Sequence, residues 1–186
     1  MMKRILILLI TALFLTGCAK SEGKQARVIN AKIEIENYGS VEVELYPDIA
    51  PLTVENFVKL AKDGFYNGTT FHRIIDGFMI QGGANPSRKA EAISGEFSSN
   101  GFENNLKHTE GILSMARAND PNSATSQFFI MVGDAPWLNG EYAAFGKVTS
   151  GLEIVKQIAK DAKPIDDNGT IPQSEQPVIT SITILD

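Results

Sequence analysis

From Val28 onward the chain is dominated by short apolar runs with a period of two, and this periodicity constrains the fold more than any other feature. Val28 to Glu36 alternates, with Ile29, Ala31, Ile33 and Ile35 on one side. The turn Asn37 to Ser40 follows, then Val41, Val43 and Leu45 alternate again, the signature of a β-hairpin with one buried face. Further short runs lie at Thr69–Ile75, Phe78–Gly82, Ile112–Ala116, Gln127–Met131 and Ala144–Val148, with a last strand at Val178–Leu185. The period changes in only two places. Pro51 to Gly64 places Val54, Phe57, Val58 and Ala61 at helical spacing, with Pro51 near the start and Gly64 at the end. Leu152 to Ala159 groups Leu152, Val155, Ile158 and Ala159 on one face. Many short strands and two helices predict a mainly β fold, an antiparallel closed barrel with helical plugs; the pattern alone also fits a sandwich.

The first 18 residues read as an address. Lys3 and Arg4 precede an apolar run from Ile5 to Leu15, followed by Thr16, Gly17 and Cys18, the layout of an export signal. As a helix that run is ~16 Å long, about half a bilayer core, which is too short to span it. Leu15-Thr16-Gly17-Cys18 resembles the lipobox of bacterial lipoproteins, in which the signal is cut before the Cys and the Cys is acylated. Cys18 is thus expected to be lipidated and to anchor the protein to a bacterial membrane on its extracytoplasmic side. Residues 19–27 (AKSEGKQAR) are small, polar and aperiodic, and read as a tether to a single domain over residues 28–186. A length of 186 residues suits one such domain.

Composition narrows the chemistry. A net charge of −5 with interspersed charges argues against nucleic acid, which requires a basic face. With 1 Cys and 2 widely separated His, no internal disulfide and no cysteine metal cluster can form, and neither a metal nor another cofactor is expected. Ser114 and Ser126 lack a GxSxG elbow, which weakens a hydrolase reading.

The most informative stretch is Tyr66–Gly83, YNGTTFHRIIDGFMIQGG. It holds Arg73 among Phe71, Ile74, Ile75, Phe78, Met79 and Ile80, with Gln81 following. Strand alternation predicts Phe71 and Arg73 on one face, His72 and Ile74 on the other. An arginine in such surroundings costs energy unless it is paired, snorkels, or serves a ligand. His72 reads as a satisfied structural histidine, and His108 makes no catalytic claim.

This stretch resembles the signature of the cyclophilin family, and further matching blocks follow in order: Gly111–Ala116 (GILSMA), Ser126–Ile130 (SQFFI), Trp137–Leu138 and Phe145–Lys147. The resemblance implies an eight-stranded antiparallel barrel capped by two helices and a peptidyl-prolyl cis-trans isomerase. It implies Arg73 as the catalytic group. Phe78, Met79, Phe129 and Leu138 would line the proline pocket, and Gln81 and Gln127 would be polar partners. Ala116 and Arg117 would offer backbone groups, and Trp137 and Tyr142 would complete the rim, Trp137 at the position that touches cyclosporin-type ligands. The implied partners are proline-containing peptides and unfolded or folding proteins, handled by a monomer that assists the folding of exported proteins. A holdase using the same groove without rotation is the alternative, although a mere binder would not require Arg73. Many eukaryotic members have His where Tyr142 stands and Asn where Arg117 stands, and Arg117 adds charge beside the groove. The loop after Gly83 is shorter than theirs, so preference for residues before proline does not carry over.

Overall fold

The structure, a computed structural model, describes residues 27–185. The expected export signal, Cys18 and nearly all of the expected tether lie outside the described residues. Eight strands are present: β1 Ile29–Ile35, β2 Gly39–Leu45, β3 Thr69–Ile75, β4 Met79–Ala84, β5 Ile112–Met115, β6 Phe128–Met131, β7 Ala144–Ser150 and β8 Val178–Leu185. They close an antiparallel barrel in the order β1-β2-β7-β5-β6-β4-β3-β8. Closure removes the exposed sheet edges that a sandwich would leave. The barrel, not the sandwich, is the fold.

The β1–β2 hairpin follows its alternation directly. Ala31, Ile33, Ile35, Val41, Val43 and Leu45 all face the interior, and Asn37 takes φ 64° in the turn. Among the described residues there are two α-helices, α1 Pro51–Lys62 and α2 Leu152–Asp161. Val54, Phe57 and Ala61 from α1, with Val155, Ile158 and Ala159 from α2, join the same core cluster as the barrel interior. At its centre Phe128 meets Phe57, Tyr66 and Phe71 edge-on, at centroid distances of 5.3, 5.7 and 6.2 Å. No local side chain caps α1. Instead the carboxylate of buried Glu96 accepts the N–H groups of Leu52 at 2.9 Å and Thr53 at 2.8 Å, satisfying two orphan donors at the positive end of the helix.

Two departures from simple alternation create the site. β5 and β6 are buried on both faces: Leu113, Met115, Phe128 and Ile130 point inward, while Ile112, Phe129 and Met131 form a second apolar cluster with Met79, Ala135 and Ala144 on the outer wall. The other departure corrects the expected facing of β3. Phe71 pairs with Gly82 but Arg73 pairs with Gln81, so β3 gains one residue, a β-bulge at His72. Phe71 and Ile74 therefore both enter the core, and Arg73 is turned onto the outer wall. Gly82 is required there, since an added Cβ would lie 2.5 Å from the Thr70 carbonyl oxygen. Strand ends also shift a little. β4 begins at Met79, which leaves Phe78 in the preceding turn, and β6 begins after Gln127.

Candidate active site

The outer cluster of β4, β5 and β6 forms the floor of a hollow of about 300 Å³. Met79 and Phe129 supply the base, both at most 5% exposed, with Phe78, Leu138, Ala116 and Tyr142 around them. Each is placed by its element. Met79 and Phe129 come from outward positions of β4 and β6, Phe78 from the turn before β4, and Leu138 from the 3-10 turn Pro136–Leu138. Phe129 is held from two sides, edge-to-face with Tyr142 at 5.9 Å and stacked on His108 at 6.1 Å.

Arg73 supplies the cation on one wall. Its Nε donates to the Asn168 carbonyl at 2.8 Å and faces Asn168 Oδ1 at 3.3 Å; its Nη1 reaches Gln81 Oε1 at 3.4 Å and Met79 Sδ at 3.7 Å. Gln81 is in turn tied to Gln127 Oε1 at 3.0 Å. Among the described residues Nη2 has no hydrogen-bond partner, so the guanidinium is oriented yet keeps donor capacity over the hollow. Nearby, Ala116 gives its N–H to the Gln127 carbonyl at 2.9 Å. The Ala116 carbonyl and the Arg117 N–H have no partner among the described residues and are free to pair with an extended chain.

Arg73, Phe78, Met79, Gln81, Ala116, Arg117, Phe129, Leu138 and Tyr142 thus share one hollow. Gln127 and Trp137 do not line it. Gln127 lines an adjoining recess bounded by Ala118, Ser123 and Thr125, and Trp137, 66% exposed, stands at the rim against Phe78 at 5.9 Å.

Two contributors were not singled out in the sequence. Asn168 lies in a turn where Asp166 Oδ1 accepts the Thr170 N–H and Gly169 takes φ 84°, a position whose added Cβ would meet Ile75 at 2.5 Å. A polar Asp-Asp-Asn-Gly run signals a turn, but nothing local signals an arginine 95 residues away. His108, 1% exposed, lies beneath Phe129. Asn139 Oδ1 accepts its backbone N–H and faces its Nδ1 at 3.2 Å, which assigns the ring proton to Nδ1 and leaves Nε2 to accept from the Ser114 hydroxyl at 2.9 Å. His72, expected to be a satisfied structural histidine, has its Nδ1 buried without a hydrogen-bond partner among the described residues.

Residues 30–184 match the family described as cyclophilin type peptidyl-prolyl cis-trans isomerase/CLD. The chain belongs to this family. Its activity is isomerisation of the X-Pro peptide bond. It is similar to a peptidyl-prolyl cis-trans isomerase of Acinetobacter baylyi, 45% identical over 136 residues that cover 70% of this chain and 72% of that one. It is also 41% identical to peptidyl-prolyl cis-trans isomerase B of Escherichia coli over 157 residues, covering 80% and 95%. A Cryptosporidium parvum cyclophilin type isomerase, with its structure solved in the presence of the dipeptide Ala-Pro, superposes with a TM-score of 0.72 at 33% identity, covering 84% of this chain and 99% of that one.

Burial holds the imidazoles of both His72 and His108 below the ordinary histidine range, and at His72 the Arg73 charge adds to that effect. Unfolding lets both bind protons more readily, so the stability they contribute to this cyclophilin should fall as pH drops below about 6.5 and be constant above it. Asp166, lowered by the Thr170 N–H, titrates beneath that window. Denaturant unfolding of His108→Gln between pH 5 and 7 should show a shallower pH slope than wild type. An unchanged slope would show that His108 protonates equally well folded and unfolded.

Proposed function

We propose that this cyclophilin binds proline-containing segments in the hollow over Met79 and Phe129, that Arg73 carries the rotation, and that it assists exported proteins from a lipid anchor at Cys18. The observation that carries the catalytic part is the guanidinium of Arg73, fixed by the Asn168 carbonyl and set over an apolar hollow.

The barrier to X-Pro rotation is the partial double-bond character of the amide, ~18–20 kcal/mol. No bond has to break. At the twisted state conjugation is lost, and the nitrogen becomes pyramidal and regains its lone pair. A donor aimed at that nitrogen binds the twisted state better than the planar one, and only such differential binding accelerates the step. Phe78, Met79, Phe129, Leu138 and Tyr142 hold the pyrrolidine ring and keep water away. The Ala116 carbonyl and the Arg117 N–H hold the preceding residue extended. Gln81, tied to Gln127, orients Arg73. Trp137 offers a wider rim contact to larger ligands, cyclosporin-type peptides included. A holdase needs the apolar floor but not a cation with directed donors, and Arg73 therefore favours the isomerase. Support for peptide binding comes from the related Cryptosporidium parvum protein studied with Ala-Pro.

The anchor is supported by the sequence Leu15-Thr16-Gly17-Cys18, which contains the chain's 1 Cys, after a basic and apolar leader. Lipidation would fix the enzyme at the membrane surface, where newly exported chains emerge unfolded; more than one acyl chain is needed for stable anchoring.

Arg73→Ala should lower kcat/KM for a proline peptide by roughly 10²- to 10³-fold, the cost of removing one directed donor. A rate equal to wild type would remove Arg73 from the mechanism. Cys18→Ser, expressed in a bacterium that processes lipoproteins, should abolish labelling by a fatty acid and release the protein from membranes. Continued labelling or retention in the variant would reject Cys18 as the anchor.

A further inference from the structure

The side chain of Arg117, a residue that lines the hollow, is engaged by its neighbours at all three guanidinium nitrogens. Its Nε and Nη2 both donate to the Glu141 carbonyl, at 3.1 and 3.0 Å, and its Nη1 donates to the Ala118 carbonyl at 2.9 Å. The guanidinium lies over two rings, its Cζ 4.8 Å from the centroid of Tyr142 and 5.1 Å from that of Phe97. The side chain is 15% exposed, and the Glu141 carboxylate stands 3.8 Å away. Ser99 ties the same region together, since its N–H donates to the Gly140 carbonyl and its hydroxyl to Glu141 Oε2. Three segments distant in sequence thus meet on one guanidinium.

We propose that Arg117 is a positioning residue for the isomerase: its side chain clamps Tyr142 against Phe129 and so fixes the wall of the proline hollow. Tyr142 lies in a loop before β7 and is only half-buried, so it needs a brace to keep its edge-to-face contact with Phe129. The fork to the Glu141 carbonyl holds the backbone next to Tyr142, and the guanidinium lying over the ring covers it. Lysine cannot do both, because its single ammonium lacks the planar fork. A firm wall grips the ring equally in the planar and twisted states, so the brace acts on substrate binding rather than on rotation. This inference rests on the hollow being the proline site. Loss of Arg73 tests that reading separately, through the rotation step.

The test is a double-mutant cycle on the peptide isomerisation kinetics of the full chain. Arg117→Ala should raise KM by roughly five- to tenfold with kcat changed less than about twofold, as loss of uniform binding requires. Arg117→Lys should behave nearly the same, and it carries the test if the alanine variant fails to fold. In a Tyr142→Ala background either substitution should add almost nothing, because the ring it braces is gone. An unchanged KM, a loss confined to kcat, rescue by lysine, or a full effect persisting without Tyr142 would each overturn the proposal.

Discussion

A guanidinium beside an apolar wall must be both oriented and incompletely satisfied if it is to act on a bound amide. Fully paired, it has nothing to offer; unpaired, it turns toward water. Arg73 meets the condition by having its Nε held by the Asn168 carbonyl and its Nη1 near Gln81, with Nη2 left over. Much of the fold serves that arrangement. The bulge at His72 moves Arg73 out of phase with Phe71 and onto the outer wall, and Gly82 allows β3 and β4 to approach closely there.

The hollow in turn depends on the barrel being apolar on both sides along β5 and β6. An ordinary antiparallel barrel is greasy within and polar without. Here the outer cluster around Met79, Phe129 and Met131 makes a dry floor outside the main core. Rigidity comes from beneath and beside it: His108, neutral and bonded to Ser114 and Asn139, stacks under Phe129, while Tyr142 meets the same ring edge-on. A preorganised floor would have little to reorganise if an amide twisted in the hollow.

What the sequence revealed and what it concealed follow the range of the forces involved. The β1–β2 hairpin, α1 and the outline of α2 are written in local periodicity, so residues such as Ile33, Val43 and Phe57 could be assigned to the core directly. The residues of the hollow were legible through family resemblance, because singly Phe129 or Leu138 reads as ordinary core packing. Phase was less legible: a bulge of one residue at His72 overturns strict alternation, and no residue type announces it. Interactions between distant segments were invisible. Asn168 meets Arg73 across 95 residues, Glu96 caps a helix 43 residues earlier, and Arg117 reads as a backbone contact with a charge beside the groove until its three segments are brought together.

In the proposed mechanism Arg73 distinguishes the twisted amide from the planar one. Exchange NMR on a proline peptide gives affinity and cis-trans rate in one sample, so Arg73→Gln separates the two. Affinity should stay within about threefold of wild type while the exchange rate on the enzyme drops roughly 10²- to 10³-fold. Parallel loss of affinity and rate, or a rate that survives the substitution, would contradict the account.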